Sequence, residues 1–446
     1  MINSPTPTTY QRQRWGSYYY RPQGADKDHT PQLQLQDVRH SPPEVLGLVI
    51  NQDKSHLQPT QRIQFIGAIL DTTRQKAYLP EDRFSNLKQA ITTLQHSQQA
   101  SAWAIQSILG HMSSTTNVTP FARLRMRPLQ NWFIRTFDPL HDPQSRVLHP
   151  PHSVLHSLIW WTKAHNVLLG IPFNQPRPSA SLTTDASNSG WGAHLKGFQV
   201  SGHWTRQDQK FHINALEMMA VEKALRAFVR IVSNRMVQIV TDNTAVKYYI
   251  NKQGGTRSQT LLSVITRIWE WCIQHNVLLT AIHLPGQDNI LADSLSRTTK
   301  NNHEWHLHPT QFKLITRKWG TPRIDLFASP LNTHCPLYCA RLHPRASPGC
   351  LGDAFLFHWT PGLLYIFPPL PLLSPVIAKI IQDKSDCILI TPWWPRQHWF
   401  APLLLLSNSQ FLKFNPTPDL LTVENGLVLH PDLQSLRLTA WRIKPQ

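Results

Sequence analysis

Thr184-Asp185-Ala186-Ser187 opens the stretch whose reading decides the fold, Ser181 to Arg297. A short strand runs into an acid there, and Trp191-Gly192-Ala193-His194-Leu195 and Phe198-Gln199-Val200 supply two candidate neighbouring strands. A helix carrying Glu217 follows, with Val221, Ala224, Leu225, Phe228 and Val232 spaced as one core face. Val237 to Asp242 reads as a buried strand ending in an acid, and Asn289 to Arg297 as a helix bearing Asp293. Taken singly, each acid has a plain explanation. Asp242 can be a helix cap, with Asn243-Thr244 capping a helix through Tyr249, and Asp293 a surface charge. Glu217 is harder to dismiss, because a carboxylate at the inner edge of a core face is costly unless a cation stands beside it. Together the four acids shift the balance toward chemistry, since phosphodiester hydrolysis with two divalent ions needs clustered hard oxygen ligands.

The 446 residues exceed one typical core, and at roughly 100–200 residues per domain they suggest two to four units. A formal charge of +18 favours a polyanionic partner such as nucleic acid, the alternative being a merely soluble basic protein. Five cysteines without paired spacing point to a reduced, intracellular setting, with nucleus and cytoplasm left open. No second pair joins Cys335 and Cys339 to complete a zinc pattern. Secretion and membrane spanning are unsupported: the chain opens with no basic segment leading into an apolar one. The apolar stretch Pro361 to Pro375 is interrupted by prolines.

Residues 1–40, polar and rich in Gln, Pro and Tyr, read as irregular or disordered. Order is expected from a strand-like run at Leu46 to Ile50 and again from Ile63 to Leu70. Pro80 suits the first turn of a helix whose Phe84, Leu87, Ile91 and Leu94 make one buried stripe, with Glu81 and Asp82 complementing its dipole. A second helix presents Ala102, Ile105, Ile108, Leu109 and Met112. A third, after Pro120, mixes apolar residues with Arg123, Arg125 and Arg127, either a basic rim along a nucleic-acid path or a solvated face. Val154 to Trp161 mark a fourth helix, and the Pro-rich link from Pro172 to Pro178 is a plausible domain boundary.

The central stretch resembles a type 1 ribonuclease H domain of retroelement reverse transcriptases. The resemblance rests on Thr-Asp-Ala-Ser, Ala-Leu-Glu, Thr-Asp-Asn and the run His283-Leu284-Pro285-Gly286-Gln287-Asp288-Asn289-Ile290-Leu291-Ala292-Asp293, in the family's order. It implies that Asp185, Glu217, Asp242 and Asp293 bind two Mg²⁺ ions, with Mn²⁺ as an alternative, and that the substrate is an RNA–DNA hybrid. His283 is similar to the family's mobile histidine, which assists product release or proton transfer; its other reading is a strand-end surface residue. Gly286 and Asn289 fit a flexible loop. Ser187, Asn188, Asn214 and Asn243 either hydrogen-bond the hybrid or serve as ordinary turn and cap residues.

Upstream, Leu46 to Ser55 and Gln61 to Gly67 resemble the end of a reverse transcriptase palm with its primer-gripping hairpin. The Tyr-x-Asp-Asp turn that such a palm needs does not precede them. The chain therefore reads as a truncated copy, without polymerase activity of its own and with a complete reverse transcriptase or other element-encoded proteins as partners. Downstream, Ile324 to Asn332, Asp353-Ala354-Phe355, Phe367-Pro368-Pro369-Leu370 and Ile388 to Pro395 are similar to the methyltransferase-like region of DIRS-like retrotransposons. Phe367 stands where the catalytic turn needs Asn or Asp, which implies a folded but inactive region.

The expected architecture is α/β: an irregular segment 1–40, and a palm end, thumb and connection over 41–172. A ribonuclease H-like domain with a mixed five-stranded sheet and flanking helices follows over 178–300. A smaller α/β domain over 318–410 and a tail over 411–446 complete the chain. The expected function is cleavage of the RNA strand of hybrids, the alternative being a non-catalytic nucleic-acid-binding remnant.

Overall fold

Alternation and turn chemistry set the first described element. The computed structural model describes residues 58–297, 305–340, 348–359, 362–423 and 426–444, so the expected strand at Leu46 to Ile50 and the irregular segment 1–40 lie outside them. The strand-like run beginning at Ile63 folds as a hairpin, β1 (Arg62–Phe65) and β2 (Ala68–Asp71). Its two turn residues, Ile66 and Gly67, both take positive φ, as a tight two-residue hairpin turn demands. β3 (Lys76–Tyr78) extends the sheet. α1 (Glu81–Ser97) buries the expected stripe of Phe84, Leu87, Ile91 and Leu94. Pro80 stands at its N-cap, one position outside the first turn where the sequence places it.

β4 (Ala100–Ser101) leads into α2 (Ala102–Ser114), capped by the Ser101 hydroxyl, and α3 (Ala122–Thr136) packs beside it. β4 pairs with β5 (Val147–Leu148). The fourth helix is shorter than expected. α4 (His152–Ser157) tightens into a 3₁₀ turn over Leu158–Thr162, which buries Leu158 and Trp161 but turns Ile159 outward. α5 (Ala164–Val167) and β6 (Ile171–Pro172), paired with β3, close this helical region around its own core.

After an exposed Pro-rich link the chain builds a five-stranded mixed sheet from β7 (Ala180–Ala186), β8 (Gly190–Leu195) and β9 (Phe198–His203), an antiparallel meander. α6 (Ile213–Ala227) and α7 (Val229–Val232) cross to β10 (Met236–Thr241). α8 (Thr244–Asn251) and α9 (Gln259–Gln274) lead to β11 (Leu278–His283), and α10 (Ile290–Arg297) ends the unit. The sheet order is β11-β10-β7-β8-β9, with β10 parallel to both β7 and β11. The face predicted for α6 is the buried one: Val221, Ala224, Phe228 and Val232 are all 0 % exposed. The link does not separate this unit from the helices before it. Leu124 of α3 enters the core of the sheet, Phe121 meets Trp269 edge-on, and Asn131 Nδ2 donates to Gln259 Oε1 at 2.6 Å.

The C-terminal region begins before residue 318 and runs past 410. It contains β12 (His306–Leu307), α11 (Pro309–Trp319), β13 (Ile324–Asp325), β14 (Leu337–Tyr338) and β15 (Leu364–Ile366). α12 (Leu373–Asp383), β16 (Cys387–Pro392), α13 (Phe400–Leu406) and β17 (Phe411–Lys413) follow. β18 (Leu421–Val423), β19 (Val428–Leu429), α14 (Leu433–Leu436) and β20 (Leu438–Ile443) complete it. β14, β13, β15 and β16 run parallel, and β20 inserts antiparallel between β16 and β17.

The expected tail over 411–446 is thus a correction. Its β20 is buried throughout, because five of the six residues from Leu438 to Ile443, all but Arg442, are apolar or small and suit a strand covered on both faces. Residues 61–446 form one compact unit, and among the described residues no helix is long and apolar enough to cross a membrane.

Deleting 411–446 is expected to strip the β20-facing edge of β16 along its whole length, leaving β16 paired only with β15, and to open the core around Trp441. Limited proteolysis should then cut the remaining C-terminal region rapidly; a truncated chain as resistant as the whole one would show that the segment is dispensable.

Candidate active site

Strand register puts the first two acids together. Thr183 of β7 pairs with Val240 of β10 in a parallel ladder, so Asp185 and Asp242, each two residues further on, leave the same edge of the sheet side by side. α6 then lays Glu217 against that edge, held on the sheet-facing side by Leu216, Ala220 and Val221, all fully buried. One carboxylate oxygen from each of Asp185, Glu217 and Asp242 lies within 4.8 Å of the others.

Such proximity is electrostatically unfavourable. Burial, aided by the neighbouring Asp185 and Asp242 charges, pushes the Glu217 carboxyl up to about 9. Asp185 is raised to about 6, first by burial and also by Asp242 and Asp293, against a hydrogen bond from Ser296 that favours the charged form. Glu217 Oε2 is buried without a hydrogen-bond partner among the described residues. Three hard oxygen donors with an orphaned acceptor among them suit a divalent cation of the Mg²⁺ or Mn²⁺ kind.

Asp293 stands apart from the three. Its Oδ1 accepts from Arg297 Nε at 2.7 Å, one helical turn along α10. α10 itself is seated through glycine: a Cβ on Gly192 would come within 2.4 Å of Leu295 Cβ and 2.7 Å of the Ala292 carbonyl oxygen. His283 is exposed at the end of β11, paired in register with Thr241, the residue before Asp242.

Asn289 overturns one expectation. It is 2 % exposed, and its Nδ2 donates to Thr184 O at 3.3 Å and Asp185 Oδ1 at 3.4 Å, so it is locked against the sheet where a flexible loop residue was expected. Gly286 begins a 3₁₀ turn, and a Cβ there would lie 3.2 Å from Asp242 Oδ2. Sequence reasoning missed both as neighbours of the acids, since only the fold brings the segment before α10 back onto β7 and β10.

The other candidates are spread along this side and beyond it. Ser187 Oγ donates to Ser296 O at 2.8 Å and closes the β7–β8 turn, whereas Asn188 is exposed. Asn243 caps α8 by accepting from Ala245 and Val246 N–H, and its Nδ2 donates to Asn214 Oδ1 at 2.9 Å. Arg123, Arg125 and Arg127 do not join the acids. Arg127 Nη2 donates to the Lys252 and Gly254 carbonyls, and Arg125 lies 4.0 Å from Glu270 and over the Trp160 ring. Both bind the helical region to the sheet unit, and burial lowers the pKa of each.

Residues 175–272 match the family model described as the RNase H-like domain found in reverse transcriptase. That span contains Asp185, Glu217 and Asp242. The enzymatic polyprotein of carnation etched ring virus is 23 % identical over 274 residues, covering 58 % of this chain and 38 % of that one. The chain thus spans well under half of the curated relative it matches. LC11-RNase H1 in complex with an RNA/DNA hybrid aligns at 18 % identity and a TM-score of 0.23, over 26 % of this chain and 93 % of that one. The foamy viral protease-reverse transcriptase in complex with an RNA/DNA hybrid aligns at 13 % identity and a TM-score of 0.23, over 55 % of this chain and 31 % of that one. The chain carries an RNase H-like domain of the reverse-transcriptase type and has homologues among the caulimovirus enzymatic polyproteins.

The raised carboxyls have a measurable consequence. Both groups hold protons in the folded state that the unfolded chain releases near the ordinary values of 3.8 and 4.5. Their stabilising share is therefore complete below about pH 4. It is lost as pH rises through about 6 for Asp185 and about 9 for Glu217. In chelator, the melting temperature of the wild type should fall over this range more steeply than that of Glu217→Gln. Parallel pH profiles would contradict the assignment.

Proposed function

We propose that this domain cleaves the RNA strand of RNA–DNA hybrids by hydrolysis supported by divalent metal ions. The observation that carries the reading is the approach of Asp185, Glu217 and Asp242 to within 4.8 Å inside the matched span. These three would hold two Mg²⁺ ions, with Asp293 at the rim of the group. When bound, the ions supply a hydroxide nucleophile and neutralise charge on the scissile phosphate, leaving 5′-phosphate and 3′-hydroxyl ends.

The protein's own part is positional. Asn289 holds Asp185 through its Oδ1, the kind of outer contact that orients a ligand oxygen. His283, beside the strand end that leads to Asp242, is placed to move a proton or assist product departure. Exposed Asn188 offers a polar contact to the hybrid backbone, and Asn214 a further one in concert with Asn243. We read the whole chain as part of a retrotransposon polyprotein of the DIRS-like kind. Phe367 follows β15 directly, and we read the Phe367-Pro368-Pro369-Leu370 run there as the methyltransferase-like turn without its polar residue.

The test incubates the full chain with a labelled hybrid, with and without Mg²⁺. Metal-dependent cleavage of the RNA strand is expected, falling to background in Asp185→Asn while hybrid binding stays within a few-fold. His283→Ala should slow turnover toward the lower end of the roughly 10²–10⁴-fold that a proton-transfer group contributes. Cleavage that persists in Asp185→Asn would reject the reading.

A further inference from the structure

Beyond β16 the chain continues Trp393-Trp394-Pro395-Arg396-Gln397, a segment with no part in the site above. With α14 and the residues that flank it, it forms a cleft of about 580 Å³ whose lining includes Trp393, Trp394, Arg396, Gln397, Asp432 and Arg437. The walls are held firmly. Trp394 Nε1 donates to Ser435 O at 3.0 Å, and Trp393 stacks on Trp441 with ring centroids 5.3 Å apart and planes 2° from parallel. Trp394 remains partly exposed.

The charge of the cleft has one sign. Asp432, the carboxylate in its wall, lies 3.4 Å from Lys223 Nζ and is neutralised there. Arg396 and Arg437 are exposed, and neither guanidinium has a partner among the described residues. Lys413, outside the lining, lies 3.7 Å from the Trp393 ring centroid, so Trp394 is the ring left to a ligand. A ligand that uses all of these groups carries both flat aromatic faces and phosphates. Lys223 also lies on α6, six residues from Glu217 and so about 9 Å along the helix axis.

We propose that the cleft lined by Trp394, Arg396 and Arg437 binds a single-stranded stretch of nucleic acid, one base stacking on the tryptophan and the phosphates meeting the two arginines. Stacking on an indole accepts any base, and guanidinium pairs with phosphate in a bidentate fork. An acidic peptide would satisfy the arginines but leave the ring unused. The inference does not require the hydrolase reading, because it concerns binding in the absence of metal.

The test is fluorescence anisotropy of labelled twelve-nucleotide oligothymidylate and oligouridylate with the full chain in chelator, the two arms distinguishing DNA from RNA. The Arg396→Glu/Arg437→Glu variant changes only exposed side chains and leaves the core intact. It should raise Kd for the bound strand at least about tenfold. It should also flatten the dependence of log K on log salt by about 1.4, the value for two lost phosphate contacts on a single strand. Trp394→Leu should weaken binding by roughly tenfold, as loss of one stacked base does. A Kd within about twofold of wild type in the double-arginine variant would overturn the proposal. So would equal displacement of the oligonucleotide by a polyglutamate peptide of matched charge, which would assign the cleft to an acidic protein segment.

Discussion

The parallel pairing of β7 with β10 is the constraint on which the site depends. Parallel neighbours send their carboxyl ends to the same edge, so two strands that each end in an acid must bring those acids together. Such pairing requires a crossover connection, which here runs through β8, β9, α6 and α7; the long helix on that return path is the one that carries Glu217. Three carboxylates therefore converge because of how the chain must travel, without a dedicated loop to gather them.

Their convergence opposes folding. A carboxyl raised from 4.5 to about 9 represents several kcal/mol of lost preference for the charged form. The surrounding core compensates. Phe228, Val221, Ile239 and Leu182 are all 0 % exposed around the same helix and strands, each side chain contributing about 1.5–3 kcal/mol on burial. The sheet is also braced from outside. Leu124 enters from the helical region, and Val428 from the C-terminal region joins the same core, with Lys223–Asp432 pairing at its edge. The regions on either side thus support the helix and strands that hold the acids.

Much of this was legible in the sequence because period and chemistry agree. The stripe of α1, the core face of α6 and the acids at the ends of β7 and β10 each follow from local spacing. What escaped reading depends on contacts between distant segments. Asn289 looks like a loop residue until α10 is laid over Gly192, which draws its amide onto Thr184 and Asp185. The arginines of α3 look like a basic rim until the helix meets the 252–254 turn, whose free carbonyls take up Arg127. β20 reads as a tail because nothing in its own sequence says that it inserts between β16 and β17.

The central claim is that the folded sheet presents Asp185, Glu217 and Asp242 as one cation site. Electron paramagnetic resonance of free Mn²⁺ titrated with the full chain near pH 8 tests it most directly. The account predicts saturable binding that Mg²⁺ displaces and that Glu217→Gln, with the fold retained, weakens sharply. Equal Mn²⁺ binding by the wild type and the variant would contradict it.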